Sequence, residues 1–198
     1  MKKNILTLII AVFALTQAAA QTYDNLWKQA DIIARKDQPR SEIGVMKKII
    51  SKASAAKDYG QLLAAEMRQM ILWKEISADS LTPNVKRMEA EALNAKDPAL
   101  KAVRYAVLGK VYSDMDEKKS EEYFKKALEQ PEILAKHAST EYVPLAMKGV
   151  DGSSFNNDLL HLVGFEADSK EAYHLMYTYY NKVGNRGAAC LCAYKLIE

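Results

Sequence analysis

Apolar residues recur at spacings of three and four along most of this chain, and that period most constrains its fold. Between Tyr23 and Ile76 the pattern predicts three helices, with Pro39 between the first two and with Tyr59 and Gly60 opening the third. No stretch alternates apolar and polar residues for long enough to build a sheet. The sequence therefore predicts an all-α fold made of paired helices.

Helix starts are predicted from capping residues and prolines. Ser41 is expected to cap the second helix, and Thr82 to cap a short polar helix with Pro83 at its first position. Asp97, followed directly by a proline, predicts the start of a fifth helix. Residues 138–157 are predicted to be the longest irregular segment, because glycine, asparagine and serine cluster there.

The fifth and sixth helices carry the most informative motif in the chain. Six positions follow the small, aromatic and apolar order of a repeated helical hairpin: Leu108, Gly109, Tyr112, Ser120, Phe124 and Ala127. In such a pattern the glycine lets the partner helix approach, and the aromatic side chains fill the space between the two helices. This hairpin resembles a tetratricopeptide repeat. The resemblance implies an irregular TPR-like helical-hairpin solenoid.

Three tyrosines near the C-terminal end share one helical face: Tyr173, Tyr177 and Tyr180. Together with the glycines and alanines that follow them, they give a second, partial match to the same repeat. The tyrosines form either the core between two helices or a concave surface that binds a partner. Core packing is favoured because they coincide with packing positions of the repeat, and the alternative makes them a candidate partner-binding face.

Residues 1–20 have the three parts of a secretory signal peptide. Lys2 and Lys3 precede an apolar run too short to span a bilayer comfortably, and small residues end at Ala20. Cleavage is expected to leave residues 21–198 as one helical repeat domain, with no stable membrane span. We expect this domain to be exported to the periplasm or cell envelope of a Gram-negative bacterium.

The charge balance gives no argument for nucleic acid as a partner. Loss of Lys2 and Lys3 with the signal peptide lowers the formal net charge from +3 to +1. The clustered lysines alternate with acidic residues or spread around helices: Lys47, Lys48, Lys52, Lys57, Lys118, Lys119, Lys125 and Lys126. They are predicted to form solvated faces and not an anion-binding patch.

The two cysteines, Cys190 and Cys192, lie two residues apart. That spacing points their side chains to different sides of a helix, so a disulfide between them is not expected. It also lacks the two-residue spacer of the common redox and zinc motifs. Both are predicted to be small, buried apolar residues.

Asp158, His161 and His174 are the candidate metal ligands, since Asp158 and His161 would share one face of a helix. The chain has only three histidines and no His-Glu-x-x-His arrangement, so Asp158 is expected to cap a helix instead. Ser153 and Ser154 lack the strand-turn-helix setting of a nucleophile. We therefore predict that the chain is not an enzyme and holds no metal or cofactor.

The final helix, residues 188–198, is apolar almost all round. Lys195 is its one basic residue before the last position. A solenoid needs a polar outer face on its last helix, and a helix of this composition is normally buried on several sides. We expect a protein partner, or downstream domains of the same polypeptide, to cover it.

Short motifs spread over residues 21–198 carry a second resemblance. They are Tyr23-Asp24-Asn25-Leu26-Trp27-Lys28, Lys36-Asp37-Gln38-Pro39-Arg40-Ser41, Phe155-Asn156-Asn157-Asp158-Leu159-Leu160 and Gly164-Phe165-Glu166-Ala167. These look like the helical leader region of large secreted bacterial alpha-2-macroglobulin-like proteins. The resemblance implies a segment that precedes many β-sandwich modules in an endopeptidase inhibitor of the bacterial envelope. The family's Cys-Gly-Glu-Gln thioester has no counterpart, since Leu191 follows Cys190, so no functional residue is carried over.

The leading hypothesis is a non-catalytic helical scaffold, the protein-interaction segment of an exported envelope protein. The alternative is a stand-alone periplasmic TPR-like adaptor, which would bind a peptide or protein through the face of Tyr173, Tyr177 and Tyr180. Substitution of Tyr177 by Ala tests the alternative, because it should then weaken partner binding without unfolding the chain, whereas a loss of helicity would mean that Tyr177 is a core residue.

Overall fold

The computed structural model describes residues 22–138 and 152–198, so the predicted signal peptide lies outside the described residues. Within them the chain is all-α, and the only β-type pairing is an isolated bridge between Ala138 and Asp158. Ten α-helices occupy this part of the chain: α1 (Tyr23–Ala34), α2 (Pro39–Ala56), α3 (Tyr59–Ile76), α4 (Ala78–Asn94), α5 (Pro98–Tyr112), α6 (Glu117–Leu128), α7 (Pro131–Leu134), α8 (Leu159–Ala167), α9 (Lys170–Lys182) and α10 (Arg186–Ile197). A 3-10 helix spans Gly152–Phe155, inside the segment predicted to be irregular.

Side chains just ahead of most helices accept hydrogen bonds from the first backbone amides. The capping residues are Thr22, Asp58, Ser77, Asp97, Asp116, Asp158, Ser169 and Asn185. The two described helices without such a cap, α2 and α7, begin with Pro39 and Pro131. Proline has no backbone N–H, and so it removes one of the amides that a cap would satisfy.

The predicted starts of α3 and α5 are confirmed, and the predicted cap of α2 is wrong. Tyr59 opens α3, and Oδ1 of Asp97 accepts from the amides of Ala99 and Leu100 at 3.0 and 3.2 Å. Ser41 is not a cap, because α2 already begins two residues earlier at proline. The fixed φ of proline suits the first helical position, which moves the start ahead of the serine.

The predicted start of α4 is also wrong. Thr82 and Pro83 lie inside the helix, which begins at Ala78 after the Ser77 cap. Leu81 and Val85 flank the proline and are 5% and 3% exposed. Burying both side chains from one continuous helix offsets the single backbone hydrogen bond that proline removes.

Helix α3 lies at the centre of the described fold and joins two apolar clusters. Its Ala64, Ala65 and Leu72 pack in one cluster with residues of α1 and α2. Its Leu62 and Met67 belong to a larger cluster that extends through α4, α5 and α6 to α10. A helix buried on nearly every side ties its neighbours together, so α3 connects the N-terminal pair to the rest of the molecule.

Glycines allow two close contacts between helices. A methyl group built on Gly109 of α5 would lie 2.7 Å from Cδ2 of Phe124 on α6. The Ser120 hydroxyl donates to the Gly109 carbonyl at 2.8 Å, which fixes the same approach. The packing predicted for Gly109 and Phe124 is therefore confirmed. Gly164 of α8 allows α9 to approach in the same way, since a methyl group there would overlap Sδ of Met176.

Candidate protein interface

The candidate tyrosine face of α9 divides between the core and the surface. Tyr173 and Tyr180 are 4% and 1% exposed, whereas Tyr177 is partly exposed. The Tyr180 hydroxyl donates to the two carboxylate oxygens of Asp158 at 2.8 and 3.0 Å, and the Tyr173 hydroxyl donates to Asp168 at 2.5 Å. Tyr173 and Tyr180 are therefore core residues. Partner binding by this face stays a prediction, and of the three tyrosines only Tyr177 is exposed enough to contact a partner.

Burial next to carboxylates makes these phenols very weak acids. Burial first, and then the charge of Asp158, raises the pKa of Tyr180. Burial first, and then the hydrogen bond to Asp168, raises the pKa of Tyr173. Burial and Asp158 also raise the pKa of the Cys192 thiol to about 12. All three groups stay protonated at neutral pH, where the phenols donate hydrogen bonds and the thiol is unreactive.

Asp158 caps α8, as the sequence predicts. Its Oδ1 accepts from the backbone amide of His161 at 2.9 Å, and Nδ1 of His161 lies 3.4 Å from the same oxygen. His174 is exposed on α9. In the part of the chain that the structure describes, no group of three or more histidine, cysteine, aspartate or glutamate side chains is close enough to hold a metal ion. Asp158 instead ties the start of α8 to Tyr180 of α9.

The two cysteines have opposite surroundings. Cys192 is buried and Cys190 is exposed, and both thiols are free. The prediction that both are buried is wrong for Cys190. Helix α10 packs on the protein with one face only, so residues two positions apart point one inward and one outward.

Helix α10 is buried on one side and apolar on the other. Its inward side consists of small residues, Ala188, Ala189 and Cys192. On the outward side Leu191, Tyr194 and Ile197 are 43%, 60% and 84% exposed. We define the α10 face by the exposed uncharged residues of this helix: Gly187, Cys190, Leu191, Tyr194 and Ile197. Arg186, at the first position of the helix, is exposed as well. Contiguous exposed apolar side chains of this kind mark interaction surfaces.

The other large apolar side chains that are exposed in the described residues do not share one helix. Ile32, Leu93 and Met115 lie far apart in the chain, while Val183 precedes α10. Single exposed apolar residues are normal on protein surfaces. The concentration on α10 is what distinguishes this helix.

A groove of about 620 Å³ runs between α6 and the corner of α8 and α9. Its floor includes the apolar Phe124, Leu128 and Ala172. Its walls carry both charges, with Lys118, Glu121, Glu122, Lys125 and Glu171. Side chains of both signs therefore line this groove.

Two lysines of α6 also contact aromatic rings. The Lys119 ammonium lies 4.7 Å from the ring centre of Tyr112, and that of Lys126 lies 5.2 Å from the ring centre of Tyr123. The two rings stack, and both hydroxyls donate to Oε1 of Glu89 at 2.8 Å. These contacts hold α6 against α4 and α5 and were not predicted from the sequence.

A buried charge cluster between α3, α4 and α5 was also not predicted. Glu66 is 3% exposed, and its Oε1 lies 3.7 Å from Nε of Arg104. Nη2 of Arg104 lies 3.2 Å from Oε2 of Glu91. Burial raises the pKa of Glu66 to about 7 in spite of the neighbouring Arg104. The spacing of apolar residues could not reveal this cluster. Helix α3 is buried on nearly every side, so its pattern does not show which of its polar residues are buried.

No helix of the described residues combines the length and the apolar character needed to cross a membrane. No family model, no curated protein and no solved structure matches the chain.

Proposed function

We propose that the chain is a non-catalytic, TPR-like helical scaffold of an exported bacterial envelope protein, and that it works by binding protein through the α10 face. The observation that carries the proposal is the exposure of Leu191, Tyr194 and Ile197 on one side of a helix whose other side is core. Monomeric proteins seldom leave such a stripe in water, since burying it on a partner is favourable.

The packing of α5 on α6 supports the TPR-like part of the proposal. Gly109, Phe124 and Ser120 make the close approach that the repeat pattern requires. The pair α9 and α10 supports it less fully, with buried Tyr173 and Ala189 at matching positions. Helix pairs that match the repeat pattern to different degrees are compatible with an irregular solenoid, in which each pair contacts mainly its neighbours.

Photo-crosslinking in living cells tests the docking surface. A benzophenone amino acid replaces Leu191 on the α10 face or, as the control, Leu93, which is 69% exposed on α4. We expect ultraviolet light to produce a protein adduct from position 191 and none from position 93. No adduct at position 191, or equal adducts at both positions, would overturn the proposed docking role.

Export is tested separately from docking. The residues that support export are Lys2, Lys3, the apolar run after them and the alanines that end at Ala20. Sequencing the N-terminus of the protein from the cell envelope should begin at Gln21. A chain that begins at Met1 in the cytoplasmic fraction would remove export and leave the docking proposal standing.

The proposed link to alpha-2-macroglobulin-like proteins has its own test. An antibody against residues of α9 should detect the chain in the cell envelope as part of a much larger polypeptide. A band near the 22.2 kDa of this sequence would contradict that link. The same band would favour the stand-alone adaptor.

A further inference from the structure

A buried carboxyl group on α3 and a guanidinium group on α5 lie side by side without forming a hydrogen bond. Oε1 of Glu66 is 3.7 Å from Nε of Arg104, whereas hydrogen bonds of this kind span about 2.7–3.2 Å. Within the described part of the chain, Oε2 of Glu66 and Nε of Arg104 are both buried and have no hydrogen-bond partner. The guanidinium instead points Nη2 at Oε2 of Glu91 on α4, at 3.2 Å.

A second glutamate–arginine pair on the same helix makes the contact that the first one lacks. Nε of Arg68 on α3 donates to Oε1 of Glu42 on α2 at 2.7 Å. Glu42 and Glu66 are each 3% exposed, so the depth of burial does not explain the difference. A carboxylate beside a guanidinium forms short, charge-assisted hydrogen bonds. The longer separation at Glu66 is the one expected of a neutral carboxyl group, which attracts the cation only weakly.

We propose that Arg104 exchanges partners with pH: it pairs with Glu91 of α4 while Glu66 is protonated, and it turns to Glu66 of α3 when that carboxyl group gives its proton to water. The movement is small, since an approach of about 1 Å brings Nε within hydrogen-bond distance of Oε1. The exchange does not involve the α10 face, and so it is independent of the docking role proposed above.

The charges around Glu66 come from two of the helices that pack against α3, which are α2, α4 and α5. Helix α5 contributes Arg104, and α4 contributes Glu91 and Arg87. Helix α2 places its Glu42 against Arg68 of α3 instead. Burial raises the pKa of Glu66 to about 7 in spite of the Arg104 charge. The carboxyl group therefore ionises close to neutral pH while the chain is folded.

Glu91 can lose Arg104 at little cost. Its Oε1 accepts from Nη1 of Arg87, one turn earlier on α4, at 2.7 Å, and its side chain is 33% exposed. An ionised Glu66 has no such contact with water, and a buried charge without a partner costs far more than one at the surface. The exchange thus moves a charged contact of α5 from the last turn of α4 to the centre of the fold.

Nuclear magnetic resonance of the full chain follows both groups in one titration. The probes are the side-chain carboxyl carbon of Glu66 and Nε of Arg104, assigned by their loss in Glu66→Gln and Arg104→Gln. Between pH 5 and pH 8.5 we expect both resonances to move with one shared midpoint. In Glu66→Gln the Arg104 resonance should stay constant over this range, and Nε of Arg68 should stay constant in both proteins.

Double-mutant cycles measure the same exchange through stability in urea. Arg104→Gln combined with Glu91→Gln gives the coupling of the low-pH pair, which should change the unfolding equilibrium constant about threefold at pH 5 and vanish at pH 8.5. Arg104→Gln combined with Glu66→Gln gives the coupling of the high-pH pair. That coupling should be small at pH 5 and about tenfold or more at pH 8.5.

Arg68→Gln combined with Glu42→Gln is the matched control, because this pair lies on the same helix and is already hydrogen-bonded. Its coupling should be equal at the two pH values. An Arg104 resonance that stays constant while Glu66 ionises overturns the exchange, and so does a Glu66 that does not ionise below pH 8.5. A coupling to Glu91 that is equal at both pH values overturns it as well. The titration uses the wild-type chain, so it decides the question even where a charge variant does not fold.

Discussion

Individual tyrosines hold helix ends through aspartates in this molecule. The Tyr59 hydroxyl donates to Asp97 at 2.7 Å while Asp97 caps α5, and Tyr180 has the same relation to Asp158 at the start of α8. The caps are visible in the sequence, since Asp97 directly precedes Pro98. The tyrosines are not, because Tyr59 lies 38 residues from the aspartate that it contacts.

Glu66 makes stability depend on pH. Burial raises its pKa from the ordinary value of 4.5 to about 7, so the folded state holds a proton more tightly than the unfolded state does. The free energy of unfolding therefore falls as pH rises through this window and is constant above it, and the loss totals about 3 kcal/mol. We expect Glu66→Gln to remove most of that loss, as measured by urea unfolding at pH 5 and pH 8.

Glu75→Gln is the control for this prediction, because Glu75 is exposed on the same helix, α3. Its change in unfolding free energy between the two pH values should equal that of the wild-type chain. Equal changes for Glu66→Gln and the wild type would mean that Glu66 is not the titrating group. Arg104 keeps Glu91 as a partner in the variant, at 3.2 Å, so it is not left without a counter-charge.

Replacing a helical glycine by alanine should have opposite effects on stability at two positions, Gly109 and Gly44. Gly109→Ala forces the new Cβ to within 2.7 Å of the Phe124 ring, and we expect it to destabilise the fold by about 1–3 kcal/mol. Gly44→Ala meets nothing within 4 Å and should stabilise the fold by up to about 1 kcal/mol through helix propensity. Thermal melting followed by circular dichroism measures both. A neutral Gly109→Ala would contradict the packing of α5 on α6.

At the scale of the helix, the starts of helices are predictable from caps and prolines where these act alone. They are not predictable where burial of a side chain extends the helix past such a residue. The start of α5 follows from Asp97 and Pro98, because cap and proline act within one turn. The start of α4 does not follow from Thr82 and Pro83, because Leu81 upstream of the proline is also buried. That burial depends on neighbouring helices, which no local window of sequence contains.

Helix α8 depends on a single carboxylate for its start and for its contact with α9. Asp158→Ala removes the cap to His161 and leaves the buried Tyr180 hydroxyl without its acceptor. We expect a loss of about 2–4 kcal/mol, the sum of a cap and an unsatisfied buried hydroxyl. Ser169→Ala removes only a cap, from Ala172 of α9, and should cost about 1 kcal/mol. Equal losses in urea unfolding would show that the contact with Tyr180 contributes nothing.

For the whole molecule, the all-α layout is predictable because most helices bury one face. Burial of one face requires apolar residues at spacings of three and four, and that spacing is visible in the sequence. The candidate interface is only partly predictable. The apolar composition of α10 is visible, but the side that faces water depends on how Ala188 and Cys192 pack against the rest of the fold. The exposed position of Cys190 and the burial of Glu66 follow from the same long-range packing, and so they were missed.

The described fold also predicts that unfolding begins at α1. This helix buries Leu26, Trp27 and Ala30 in the smaller cluster with α2 and α3, and the Trp27 indole donates to Gln61 at 2.6 Å. In an array whose elements contact mainly their neighbours, an element held from one side opens with less free energy than the centre. We expect α1 to open at a lower urea concentration than α3.

The two tryptophans of the chain, Trp27 and Trp73, report on these two helices separately. In Trp73→Phe the emission of Trp27 should shift to the red at a urea concentration below the midpoint of the circular dichroism transition. In Trp27→Phe the emission of Trp73, which packs against both clusters from α3, should follow the circular dichroism. Coincident transitions in both variants would mean that α1 unfolds together with the core as one cooperative unit. Separated transitions would establish that α1 opens before the centre of the described array, because α1 is packed from one side and α3 is buried on nearly every side.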